Sequence, residues 1–144
     1  MNLAGKTAIV TGASRGLGPY IAKTLAEKGV KIVAMARDIE GLEKTKSEIQ
    51  LSGQKCNIVS IDLTQINKLE NLIKNIWDDF GPIDLLINNA GIENYQHFDH
   101  LSKDAISNII STNLRAPLEL TRCILPKMIN QKSGHIIRFS SLFI

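Results

Sequence analysis

Cysteine is scarce in this sequence. Cys56 and Cys123 are its two thiols, far apart and each in an apolar context. A disulfide scaffold needs more of them in a smaller secreted chain, so both read as reduced core residues. No apolar run reaches the length of a bilayer span. The opening MNLAGKTAIVTG lacks the basic segment, long apolar stretch and small-residue cleavage site of a secretory leader. The expected location is therefore the cytoplasm, with no membrane partner. Basic clusters are lacking too. The net charge is +3, but the lysines and arginines are scattered, and a stretch such as residues 127–132 holds only two. Nucleic-acid binders gather such charge on one face or in one run, so the excess reads as solvated surface, with one or two cations kept for an anionic ligand. No repeat, low-complexity tract or linker divides the chain, and residues 1–144 read as one domain.

What the sequence does have is alternation. Short apolar runs at residues 6–11, 30–35, 55–61, 83–87 and 136–139 read as buried strands. Between them, residues 16–28, 39–51 and 65–80 carry helical periodicity. Residues 101–131 read as a long helical stretch, bent at Pro117 and Pro126. Strands of four to seven residues alternating with helices of a dozen or more predict βαβ units. The expected fold is α/β: a Rossmann-type doubly wound parallel sheet of about five strands, with helices on both faces.

The first strand ends in TGASRGLG, which places Gly12, Gly16 and Gly18 between a strand and a helix. Such a loop turns sharply, brings backbone N–H groups to a pyrophosphate and starts a helix whose dipole favours that charge. Pro19 fits the first helical turn, where its missing N–H costs nothing. No Gly-Lys-Ser/Thr follows, so this is not a mononucleotide P-loop. The second strand runs into MARD. An acid at its end would bind a ribose 2′-hydroxyl, and an arginine would accept a 2′-phosphate. Ala36 takes the strand's last position, Arg37 follows, and Arg15 lies within reach in the glycine loop. Two guanidiniums suit a phosphate, so NADP(H) is favoured over NAD(H). Asp38 is the counter-argument, since a strand ending slightly later would put it on the ribose. Its alternative role is to cap the next helix.

The series TGASRGLG, IDL at residues 61–63, NNAG at 88–91, STNLRAPLELT with Asn113, and GHIIRFSS at 134–141 resembles the short-chain dehydrogenase/reductase family over the whole chain. The resemblance implies an oxidoreductase moving hydride between a nicotinamide and an alcohol or ketone. It implies that Gly12, Ser14, Arg15, Gly16, Leu17 and Gly18 hold the pyrophosphate and adenosine ribose. Asp62 and Leu63 would contact the adenine, and Asn89, Ala90 and Gly91 would line the nicotinamide ribose. Ser141 would polarise the substrate oxygen, and Asn113 would hold a water in the proton relay. The family's remaining catalytic pair, Tyr-x3-Lys, has no match in these residues: Tyr20 is followed at that spacing by Thr24, and Tyr95 by Asp99.

The expectation is thus a family chain that ends before its catalytic helix, inactive alone, whose full-length form is a homo-oligomer acting on a small alcohol or ketone. The alternative is a non-catalytic NADP(H)-binding module or a degenerate remnant. No metal is expected. His97 and His100 are three apart, and Asp99 is their only near companion, while a zinc site wants a third or fourth converging ligand.

Overall fold

The computed structural model describes residues 2–139. Five consecutive residues of TAIVT are buried and form β1 (Thr7–Thr11) at the middle of a parallel sheet. A strand buried on both faces needs a continuous apolar run rather than an alternating one. The helix α1 (Leu17–Glu27) leads to β2 (Lys31–Ala36), and α2 (Ile39–Leu51) leads to β3 (Cys56–Ser60). Then α3 (Ile66–Phe80) returns the chain to β4 (Leu85–Asn88). A one-turn 3-10 segment (Phe98–His100) precedes α4 (Lys103–Ile110), a π turn (Ser111–Arg115), α5 (Ala116–Asn130) and β5 (His135–Arg138).

The sheet order is β3-β2-β1-β4-β5, all parallel. Its two faces carry separate cores. Ala8, Val10, Ile32 and Ala34 pack with Ala22 and Ala26 of α1 and Leu42 and Ile49 of α2. Ile9, Val33 and Leu86 face the other way, onto Leu69 and Ile73 of α3 and Leu120 and Ile124 of α5. This is the doubly wound arrangement expected from the alternation. The strand order reverses between β1 and β4, so a crevice opens beyond their carboxyl ends. Open α/β sheets bind ligands at such a point.

Two features differ from expectation. Residues 101–131 do not form one bent helix: a π turn interrupts them. In that turn the Ala116 N–H bonds the carbonyl of Ser111, five residues back. Pro117 follows at the start of α5 and is buried, so its missing N–H falls where the hydrogen-bond ladder is already re-set. The fifth apolar run is the edge strand of the sheet among the described residues, and it is less buried than its apolar content suggests. Ile136 packs into the α3–α5 core, while Ile137 and Phe139 stay 42% and 47% exposed. Their face is the α1–α2 face, and no helix covers it at β5 among the described residues.

Candidate cofactor site

The glycine loop is built by packing as well as by turning. Gly12 has φ +68°, which a side chain resists, and a Cβ there would come within 2.8 Å of the Ala90 Cα. The loop after β1 and the loop after β4 therefore touch through bare backbone. A Cβ on Gly18 would overlap the Gly12 carbonyl, so this glycine lets α1 start directly against the loop. Gly18 is buried and lines no cavity; its contribution to the site is this close packing. Gly16 is different: it has φ +63° and nothing within 4 Å of its Cβ position. It is the N-cap of α1, and no side chain caps that end. The first N–H groups of the helix are left to an external acceptor.

Side chains fasten the two loops together. The buried Thr11 Oγ1 donates to the Ile87 carbonyl at 3.3 Å and accepts from the N–H groups of Asn89 and Ala90, both at 3.0 Å. Asn89 Nδ2 donates to the Thr11 carbonyl at 3.1 Å and the Gly12 carbonyl at 3.4 Å. The Thr45 hydroxyl donates from α2 to the Ala13 carbonyl at 2.9 Å. Gly41 is a further silent participant, because a Cβ there would meet the Ser14 carbonyl oxygen at 2.6 Å. Asn88, beside Asn89, is buried, and its Oδ1 has no hydrogen-bond partner among the described residues.

Around this frame lies a cavity of about 850 Å³. Gly12, Ser14, Arg15, Gly16 and Leu17 line one wall; Ala36, Arg37 and Asp38 line a second; Asp62 and Leu63 a third; and Asn89, Ala90 and Gly91 a fourth. Apart from Gly18, Asn113 and Ser141, every site residue named from the sequence thus converges on this one cavity. Asn113 lines a second cavity, about 670 Å³, which continues the groove past Gly91 and Ile92 to Pro117, Arg138 and Phe139. Ser141 lies outside the described residues.

Ala36 closes β2, and Asp38 lines the cavity while capping the next helix. Its Oδ1 accepts from the Gly41 N–H at 3.1 Å as the N-cap of α2. Arg37 is exposed at the mouth of the cavity. Asp62 is held as a carboxylate: the Thr64 N–H bonds its Oδ1 at 3.0 Å and the Thr64 hydroxyl at 2.8 Å, and its pKa falls below the ordinary aspartate value. The Thr64 backbone hydrogen bond is the main cause, and the Arg37 charge adds to it. Asn113 stands in the π turn rather than within a regular helix. Its Nδ2 donates to the Ile92 carbonyl and its Oδ1 accepts from the Ile92 N–H, both at 2.9 Å.

His97 and His100 are exposed, with ring centroids 6.3 Å apart and nearly perpendicular. Among the described residues one group of three metal-capable side chains lies within 4.8 Å: Glu70, Glu119 and Cys123. Arg122 already ion-pairs with both of its carboxylates, at 2.8 and 2.6 Å. No helix among the described residues is long and apolar enough to cross a membrane.

The family model for the short chain dehydrogenase matches residues 6–143. The chain belongs to the short-chain dehydrogenase family. Ketoacyl reductase HetN of Nostoc sp. is 43% identical over 140 residues, which are 97% of this chain and 49% of that protein. The 3-oxoacyl-[acyl-carrier-protein] reductase FabG of Vibrio cholerae is 35% identical over 99% of this chain and 57% of its own length. A crystal structure of a metagenomic short-chain oxidoreductase in complex with NADP superposes with a TM-score of 0.94 at 35% identity, over 99% of this chain and 65% of that one. The chain thus spans about half the length of the curated relatives it matches.

Arg138, Thr45 and Gly41 have no local signal that marks them, and Thr11 has little. Their parts depend on distant partners: Asn113 for Arg138, the β4 loop for Thr11, Ala13 for Thr45 and Ser14 for Gly41. The TG pair before the glycine loop is the one cue that points to Thr11.

Proposed function

We propose that this chain binds NADP(H) in the β1–β4 cavity and serves an oxidoreductase that interconverts an alcohol and a ketone. One observation carries the cofactor choice. At the end of β2 the site presents Ala36 and Arg37, while Asp38 beside them accepts the Gly41 N–H through Oδ1 as the N-cap of α2. A 2′-phosphate placed there meets Arg37, with Arg15 in the facing wall, while Asp38 is oriented by its bond to Gly41. The NADP-bound neighbour supports the same choice.

The fit to a dinucleotide rests on the chain's own geometry. The uncapped start of α1 and the open space over Gly16 receive the pyrophosphate. Asp62 and Leu63 flank the adenine. Asn89 locks the β4 loop to the glycine loop and so fixes where the second ribose sits. When bound, the nicotinamide supplies or accepts the hydride. Asn113 positions the Ile92 segment along the groove toward the reacting end, and Ser141 would donate to the substrate oxygen.

Proton transfer in this chemistry needs an acid whose pKa is drawn toward neutrality. The Tyr and Lys that the family resemblance implies for this task are not among the 144 residues. The 144-residue polypeptide is therefore expected to bind NADPH without consuming it. NADPH oxidation followed at 340 nm, with 3-oxoacyl thioesters and simple ketones, tests this. No turnover together with saturable NADPH binding is the expected result. Turnover by these residues alone, or the absence of saturable NADPH binding, would refute the reading.

A further inference from the structure

Asn113 stands in the π turn four positions before Pro117, and the proline leaves the carbonyls of this stretch one N–H donor short. The chain makes up the donor from another element: Arg138, the last residue of β5, donates from Nη2 to the Asn113 carbonyl at 2.6 Å. Arg138 is exposed and had solvent open to it, yet it reaches back across the second cavity, whose wall it shares with Asn113 and Pro117. The other end of Asn113 is committed as well, with both side-chain polar atoms on the Ile92 backbone. The result is a chain of contacts from β5 through the π turn to the segment that follows Gly91.

We propose that Arg138 is a positioning residue for the nicotinamide end of the cofactor site, acting through the Asn113 carbonyl to hold the Ile92 segment in place. The guanidinium supplies a donor in the stretch where Pro117 has none and keeps the π turn from relaxing. The turn in turn sets the distance between Asn113 and Ile92. This rests on the NADP(H) reading for its link to binding, but the mechanical claim stands apart from that reading.

The test compares wild type with Arg138→Met and Arg138→Lys in the full natural protein. Two ligands are titrated: NADPH, which fills both ends of the site, and 2′,5′-ADP, which fills only the adenosine end. Hydrogen exchange at the Ile92 N–H is followed alongside, with the Ile9 N–H in β1 as control. Arg138→Met is expected to weaken NADPH roughly five- to tenfold, the scale of one lost charge-assisted hydrogen bond. Binding of 2′,5′-ADP should change by less than about twofold. The Ile92 N–H should exchange about tenfold faster while Ile9 is unchanged. Arg138→Lys, which keeps a donor, should recover part of both effects.

Unchanged exchange at Ile92 overturns the proposal, and so does an equal loss for both ligands, which would mark general destabilisation. A wild type that binds neither ligand would sink the cofactor reading instead, and the Ile92 exchange would still decide the role of Arg138.

Discussion

One carbon atom separates Gly16 and Gly18 of the loop in kind. At Gly18 a Cβ would overlap the Gly12 carbonyl, and neither backbone segment has room to yield. At Gly16 a Cβ would meet nothing within 4 Å, so its cost is the positive φ alone. Gly18→Ala is expected to lose about 2 kcal/mol or more through forced overpacking. For a chain of this size that lowers Tm by roughly 4–8 °C. Gly16→Ala should cost about 1 kcal/mol and act mainly on phosphate binding. Thermal melts of the two variants check this; a Gly18→Ala protein as stable as wild type would contradict the packing account. The glycine spacing was legible in the sequence because a strand-to-helix turn demands it. Which glycine faces ligand and which faces backbone was not, since both roles forbid a side chain for reasons that lie elsewhere in the fold. Gly41 went unread for the same cause: its neighbour Ser14 is 27 positions away.

At the level of elements, boundaries were readable where a local signal marks them. The α2 span coincides with the predicted residues 39–51, because Asp38 opens it as an N-cap and Ser52-Gly53 closes it. The π turn was not readable. Pro117 announces a disturbance, but whether the helix bends, breaks or widens depends on Asn113 gripping Ile92 and Arg138 gripping Asn113. The β5 run HIIR stands at the edge of the sheet among the described residues, as its place last in the pattern of runs suggests.

The turn between β3 and α3 gives a pH prediction. Asp62 has a folded pKa below its ordinary value of 3.8 because Thr64 bonds its carboxylate. A depressed folded pKa means that the ionised form favours the folded state. The contribution is present in full above about pH 5 and is lost as pH falls through the folded value. Asp62→Asn removes it. Melts taken from pH 6 down to pH 2.5 should show a less steep acid decline for Asp62→Asn than for wild type. Parallel declines would mean that the Thr64 contact does not hold the carboxylate.

The whole molecule follows from alternation of apolar runs with amphipathic helices, which is why its fold could be read before its contacts. Two helices on each face, five parallel strands and a reversal of order between β1 and β4 together force a crevice at one place. The glycine loop, the MARD segment, the IDL segment and the NNAG segment all fall at carboxyl ends of strands, and the topology brings all four to that crevice. Their convergence was legible from position in the pattern. The braces that hold them there, Thr11 to Asn89 and Ala90 and Thr45 to Ala13, were not, because each joins residues more than thirty positions apart.

The account turns on the end of β2, where Ala36 and Arg37 stand in the cavity and Asp38 is tied to Gly41. Calorimetric titration of the wild-type protein with NADPH and with NADH, repeated on Arg37→Met, tests it most directly. The account predicts that NADPH binds at least about tenfold more tightly than NADH, as expected for a charge-assisted contact to the 2′-phosphate. It also predicts that Arg37→Met removes most of that difference by weakening NADPH alone. Equal or tighter binding of NADH by the wild type would contradict it and would return Asp38 to the ribose.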